Sequence, residues 1–244
     1  MKRGIIVLLV VALASISVSA MEPNLTVDAN YWFGANKGLF FIFPADFSHN
    51  SANLTANAEF PSGFILGADY TYSQRSKPSV DGEPLTIPTD DVDYSSRQHL
   101  FSGTVGYPYQ LAPGFKLTAS LGWGYYVSLD KIVDRESPED RYELDITASN
   151  PQIALAANYK VTPEFSLSVN IATFLGTKGT GTARGFTGAD ANNENTSALE
   201  VKLYRWQLEG KYLIKPCLEA IAGYRVWNIT AKGTGAEDAL DFGS

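Results

Sequence analysis

Between Phe115 and Val127 the chain reads FKLTASLGWGYYV, and its odd-numbered positions are all apolar or aromatic: Phe115, Leu117, Ala119, Leu121, Trp123, Tyr125 and Val127. The even-numbered positions up to Gly124 are Lys116, Thr118, Ser120, Gly122 and Gly124, none of them a hydrocarbon side chain. Successive side chains of a strand point to opposite faces, so this is one apolar face backed by one polar or small face. A stretch of 13 residues is long for a soluble sheet edge. It suits a tilted strand crossing a bilayer, which needs roughly 9–11 residues in the hydrocarbon. Its aromatics gather toward one end, as they do where a barrel strand meets the membrane interface.

The same alternation recurs, giving nine candidate strands: Leu25–Gly34, Ala52–Phe60, Phe64–Ser73, Arg97–Tyr109, Phe115–Val127, Asn150–Lys160, Phe165–Leu175, Ala198–Leu213 and Leu218–Ala231. Short connections (61–63, 110–114, 161–164 and 214–216), each with Pro, Gly or both, alternate with long ones at 35–51, 74–96, 128–149 and 176–197. Loops of that length are unusual in a compact soluble domain. Short turns at one end and long loops at the other are the asymmetry of an outer-membrane barrel. Closure follows because lipid cannot satisfy a free sheet edge. The expected fold is therefore all-β, a transmembrane up-and-down antiparallel β-barrel of about ten strands. Nine are visible, and the last falls after the end of the sequence in hand.

The N-terminus supplies an address. Lys2 and Arg3 precede an apolar run, and Val18-Ser19-Ala20 reads as a cleavage site, so residues 1–20 are expected to be a secretory signal peptide and 21–244 the barrel. Removing Lys2 and Arg3 takes the net charge from −7 to −9. An acidic exported chain is a poor nucleic-acid binder. Cys217 is the only cysteine, which rules out an intramolecular disulfide or a Cys-based metal cluster.

If the apolar faces meet lipid, the opposite parity lines the lumen. It carries the acids Asp28, Glu59, Asp69, Glu209 and Glu219 and the bases Lys116, Arg205, Lys211 and Arg225. Buried charges need partners, so these nine are expected to form a paired network that fills a narrow barrel. Loop one holds Leu39–Pro44, an apolar stretch read as the top of the first hairpin.

On this pattern the chain resembles the small outer-membrane β-barrels of Gram-negative bacteria. The resemblance implies outer-membrane localisation, lipid and lipopolysaccharide as surroundings, and loops facing the medium where an extracellular ligand could dock. A shape of about ten strands also resembles the omptins, outer-membrane proteases that need acidic pairs and an Asp–His pair at the outer rim. Asp91 and Asp93 have a suitable spacing, but 176–197 contains no histidine, and the two in the chain are His49 and His99. His99 and Ser102 are three apart and face opposite ways on a strand, so they form no dyad. Asp90, Asp91 and Asp93 read as solvated loop charge rather than a cation site. No catalytic, cofactor or metal motif emerges. The functional expectation is a non-enzymatic barrel with a charge-paired lumen and a structural or surface-interaction role. The alternatives are a small porin-like diffusion channel and, further off, a protease or lipid-modifying enzyme at the rim. Lumen charge pairing separates the first two.

Overall fold

The computed structural model describes residues 23–40, 43–75, 79–80, 83–84, 92–138, 141–186, 193–215, 218–233 and 241–242. The segment 1–20 expected to be a leader, and Asp90, Asp91 and Cys217, lie outside those residues. The strands are β1 (Asn24–Phe40), β2 (Phe43–Glu59), β3 (Ile65–Arg75), the two-residue β4 (Ser79–Val80) and β5 (Glu83–Pro84), β6 (Val92–Ala112), β7 (Phe115–Asp134), β8 (Arg141–Lys160), β9 (Phe165–Phe174), β10 (Lys178–Phe186), β11 (Asn193–Lys215), β12 (Leu218–Gly233) and β13 (Asp241–Phe242). Each long strand pairs antiparallel with its neighbours in chain order, an up-and-down meander in a single sheet. Side chains meet across the interior from strands far apart in sequence, as Lys116 of β7 does with Glu59 of β2 and Arg205 of β11 with Asp69 of β3. The sheet is thus curled into a barrel.

β9 and β10 are one strand carrying a bulge. From Gln152 to Ala148 strand β8 advances four residues while its partners run five, from Phe174 to Gly179. On the other side β11 advances four, from Tyr204 to Glu200, against five from Thr173 to Lys178. One extra residue at Leu175–Thr177 interrupts the ladder, as a β-bulge does. The Asn150 side chain repairs it: its Nδ2 donates to the Lys178 carbonyl at 2.9 Å, and its Oδ1 accepts from the Lys178 amide at 3.2 Å. Counting β9 and β10 together gives nine full strands, and β13 pairs with β12 at Ala231 and Lys232 to begin a tenth. Because Asn150 is 2% exposed, Asn150→Leu strands a buried amide and carbonyl. A loss of about 1–3 kcal/mol is expected, read as earlier thermal unfolding in detergent.

The long connections are shorter than the sequence suggested. Strand pairing continues through most of 35–51, from Val92 on, through Leu129–Val133 against Arg141–Asp145, and through 178–185 against 193–200. In sequence these outer segments do not keep the period of two in hydrophobicity, while their backbone ladder persists. At the top of the first hairpin Leu39 stands opposite Pro44 and Phe40 opposite Phe43. At the other end the turns are tight. Gly63 (φ 89°) and Gly114 (φ 78°) adopt the left-handed region that glycine tolerates.

The outer surface carries a continuous apolar band that includes Leu54, Val105, Leu121, Leu155, Val169 and Leu208, all well exposed. Aromatic rings edge it on both sides. Near the short turns Phe64 packs on Tyr107 and Phe115 on Tyr159, and nearer the long connections Tyr70 stacks on Phe101 and Trp206 meets Tyr224. On β6 the band from Phe101 to Tyr109 is nine residues long, the length a tilted strand needs to span the hydrocarbon. A charge at its midplane would cost roughly 2–4 kcal/mol for Arg or Lys, and the outward positions of this span carry none.

Candidate functional site: the barrel lumen

The inward faces build two regions in series. The region nearer the short turns is a polar cavity of about 360 Å³. Its walls are Asn, Thr, Ser and Gln side chains plus eight charged residues: Asp28, Glu59, Asp69, Lys116, Arg205, Glu209, Lys211 and Arg225. Glu219, placed in the same network from the sequence, is exposed at the turn end opposite Leu213 and is not among the residues lining this cavity.

The charges meet in specific pairs. Lys116 Nζ lies 2.9 Å from Glu59, and Lys211 Nζ lies 3.7 Å from Glu209. Arg205 Nη1 donates to Asp69 Oδ1 at 2.9 Å. Asp69 is the hub: Asn53 Nδ2 donates to it at 2.7 Å and the Thr55 hydroxyl at 3.0 Å. Arg225 donates from Nε to Gln207 at 2.7 Å and lies over the Trp32 ring at 4.8 Å. Among the described residues neither Arg225 nor Asp28 makes an ion pair.

The second region, nearer the long connections, is apolar. Leu100, Tyr126, Ala148, Phe174, Leu199, Val201, Leu203 and Ala231 form one buried cluster, with Ile146, Trp227 and Ile229 packed against it. They project inward from β6, β7, β8, β9, β11 and β12. One register row crosses the barrel through them, from Thr71 to Leu100, Tyr126, Ala148, Gly179 and Leu199. On the β2–β3 side the row ends on the buried polar residues Ser51, Thr71 and Ser73. Val201 is 0% exposed and Leu100 1%, so the side chains of this cluster are packed against one another inside the barrel.

Glycines make room for this seal. A Cβ on Gly124 would strike the Phe174 ring, one on Gly179 would strike Val201, and one on Gly181 would lie 2.7 Å from Leu199. Phe174, Val201 and Leu199 thus each pack over a glycine that offers no side chain there. Beyond it the interior is polar again. The Gln98 amide bridges Arg75 and the Tyr126 hydroxyl in the orientation that satisfies both, and Tyr94 donates to Asp130 at 3.2 Å. Burial and the Asp130 carboxylate hold the Tyr94 hydroxyl well above the usual tyrosine range.

Of the charges expected to pair in the lumen, Lys116 and Glu59, Arg205 and Asp69, and Lys211 and Glu209 do so around a cavity, and a buried apolar cluster lies above it. The rim residues weighed for chemistry are apart. His99 faces outward and shares a hydrogen bond with Tyr70 at 3.0 Å, while Ser102 is buried on the inner face. Asp93 is engaged by Arg135 at 2.7 Å.

An antiparallel barrel with an uncharged lipid-facing band, two aromatic girdles and a polar-lined cavity defines an outer-membrane β-barrel protein, and this chain is one. It belongs to the family described as putative MetA-pathway of phenol degradation, whose model matches residues 82–241. In fold it is similar to the outer membrane protease OmpT from Escherichia coli, with a TM-score of 0.59 at 10% identity over 91% of this chain and 90% of that one. A major outer membrane protein from Thermus thermophilus aligns with a TM-score of 0.36 at 14% identity, over 82% of this chain and 100% of that one. No curated protein matches the chain.

Proposed function

We propose that this protein is a non-enzymatic outer-membrane barrel that does not conduct ions, and that its interactions are made by the extended outer strands and by the lumen cavity. The observation that carries this reading is the apolar layer across the lumen. An ion crossing it would shed much of its water beside hydrocarbon side chains, which replace little of the lost hydration. The paired charges below the layer support a structural role, since Lys116–Glu59 and Arg205–Asp69 tie together strands distant in sequence. The outer strands rise well past the apolar band and present mixed charge to the medium, including Arg184 held between Asp145 and Glu194. That favours contacts with lipopolysaccharide headgroups or a surface partner.

A second reading has its own support. The seal contains Tyr126 and Phe174 with Trp227 beside it, and the family's description concerns phenol degradation. A layer of this composition excludes ions yet dissolves small uncharged aromatics, so side-chain motion there would make a passage for phenol-like molecules. Planar-bilayer recording on the purified protein tests the first reading: correctly folded protein is expected to give no channel steps. Steady unitary conductance would overturn it. Entry of phenol into liposomes containing the protein, without conductance, would decide for the aromatic passage.

A further inference from the structure

The lumen carries one acid and one base left over from its pairing scheme. Four acids and four bases line the cavity. Three of each are matched: Lys116 with Glu59, Arg205 with Asp69 and Lys211 with Glu209. Asp28 and Arg225 remain, and both face the same cavity from β1 and β12, the two strands that flank its seam. Their heights are close but not equal. Arg225 Nη2 reaches Asn53 Oδ1 at 3.5 Å, and Asn53 is the register partner of Asn30. Asp28 is two residues along β1 toward the turn end, about 7 Å on a strand rise of 3.3 Å per residue. Among the described residues the two groups make no direct ion pair, and an offset of that order along β1 is one a small molecule can bridge.

The surroundings fit such a ligand. Arg225 spends Nε on Gln207, while its Nη1 finds no acceptor among the described residues. Next to Gln207 in register on β9 stands Asn170, whose Oδ1 has no donor among them. Unmet polar atoms inside a barrel are costly unless something completes them. The cavity volume lies at the lower end of the range for small-molecule sites, roughly 300–1,000 Å³. The seal closes its outer end, so a ligand enters from the turn end.

We propose that the cavity binds a small zwitterion of the amino-acid class, its carboxylate on the Arg225 guanidinium and its ammonium on the Asp28 carboxylate. The binding is independent of whether the barrel conducts, since conductance reads the seal and binding reads the cavity beneath it.

The test uses the full chain in detergent, titrated calorimetrically with L-alanine, acetate and methylammonium. L-Alanine is expected to bind, and each single-charge fragment to bind at least tenfold more weakly. Asp28→Asn removes the ammonium contact, touches no partner in the fold, and is expected to weaken L-alanine tenfold or more while leaving acetate unchanged. Arg225→Gln is expected to abolish both. Trp32 lies under Arg225, so in a Trp123→Phe, Trp206→Phe background L-alanine should also shift the emission of the two tryptophans that remain, Trp32 and Trp227. Absence of L-alanine binding to the folded protein overturns the proposal. So does acetate binding as tightly as L-alanine, or an unchanged affinity in Asp28→Asn.

Discussion

Replacing Phe174 and Val201 together by alanine is expected to turn a silent barrel into an ion channel. Both side chains lie across the lumen over glycines, Phe174 above Gly124 and Val201 above Gly179, so no neighbouring Cβ stands ready to fill the space they leave. The cavity below is already polar, and the interior above the seal is polar at Gln98, Tyr94 and Asp130. Removing the hydrocarbon between them joins two wetted compartments. The expected readout is discrete single-channel steps in a planar bilayer where the parent protein gives none. Because Phe→Ala in a packed site costs about 3–5 kcal/mol, folding must be confirmed by the heat-dependent gel shift of the barrel. A folded double variant that stays silent would mean that the remaining Leu100, Tyr126, Leu199 and Leu203 suffice, or that closure lies elsewhere.

Asp69→Ala is expected to be the most destabilising single change in the lumen. Asp69 anchors Arg205, whose side chain is 8% exposed against 14% for its own, and it also receives Asn53 and Thr55. Taking one partner from a buried ion pair strands the other, at a cost of about 3–5 kcal/mol. Here the stranded Arg205 also stands close enough to Arg225 for the two to repel. Unfolding in urea from detergent micelles should show the loss. Asp69→Ala with Arg205→Met should recover much of it, since the pair is then removed as a unit. Equal losses in the single and double variants would show that Asp69 acts through its neutral hydrogen bonds rather than its charge.

Much of this architecture was legible from alternation alone. A strand such as β7 carries its face assignment in the clear, because lipid demands hydrocarbon at each outward position from Phe115 to Val127. The seal was harder to read, and β11 shows why. Along its odd positions Leu199, Val201 and Leu203 precede Arg205, Glu209 and Lys211, all on the inward face. Along its even positions Glu200 and Lys202 precede Tyr204, Trp206 and Leu208, all outward. Hydrophobicity changes sides near Leu203, where the strand leaves the membrane: above that point water is outside and the packed layer within. A search for one apolar face per strand averages over this inversion. The outer strands were read as loops for the same reason, since a ladder above the membrane keeps its hydrogen bonds without keeping a hydrocarbon face. The Asp69–Arg205 pairing had no local signal either, because it joins residues 136 apart in sequence.

The extra residue near Gly176 sets the phase of everything beyond it. Before it, Ser168, Asn170, Ala172 and Phe174 are the inward set. After it, Gly179 and Gly181 are, although simple alternation from Phe174 would have turned Lys178, Thr180, Thr182 and Arg184 to the interior. Deleting a single residue there would exchange the two sides of the whole outer half-strand, driving Lys178 and Arg184 into the hydrocarbon seal and leaving glycines to face the medium. The stretch from Phe174 to Lys178 therefore tolerates substitution far better than it tolerates any change in length, a constraint of arithmetic rather than of chemistry.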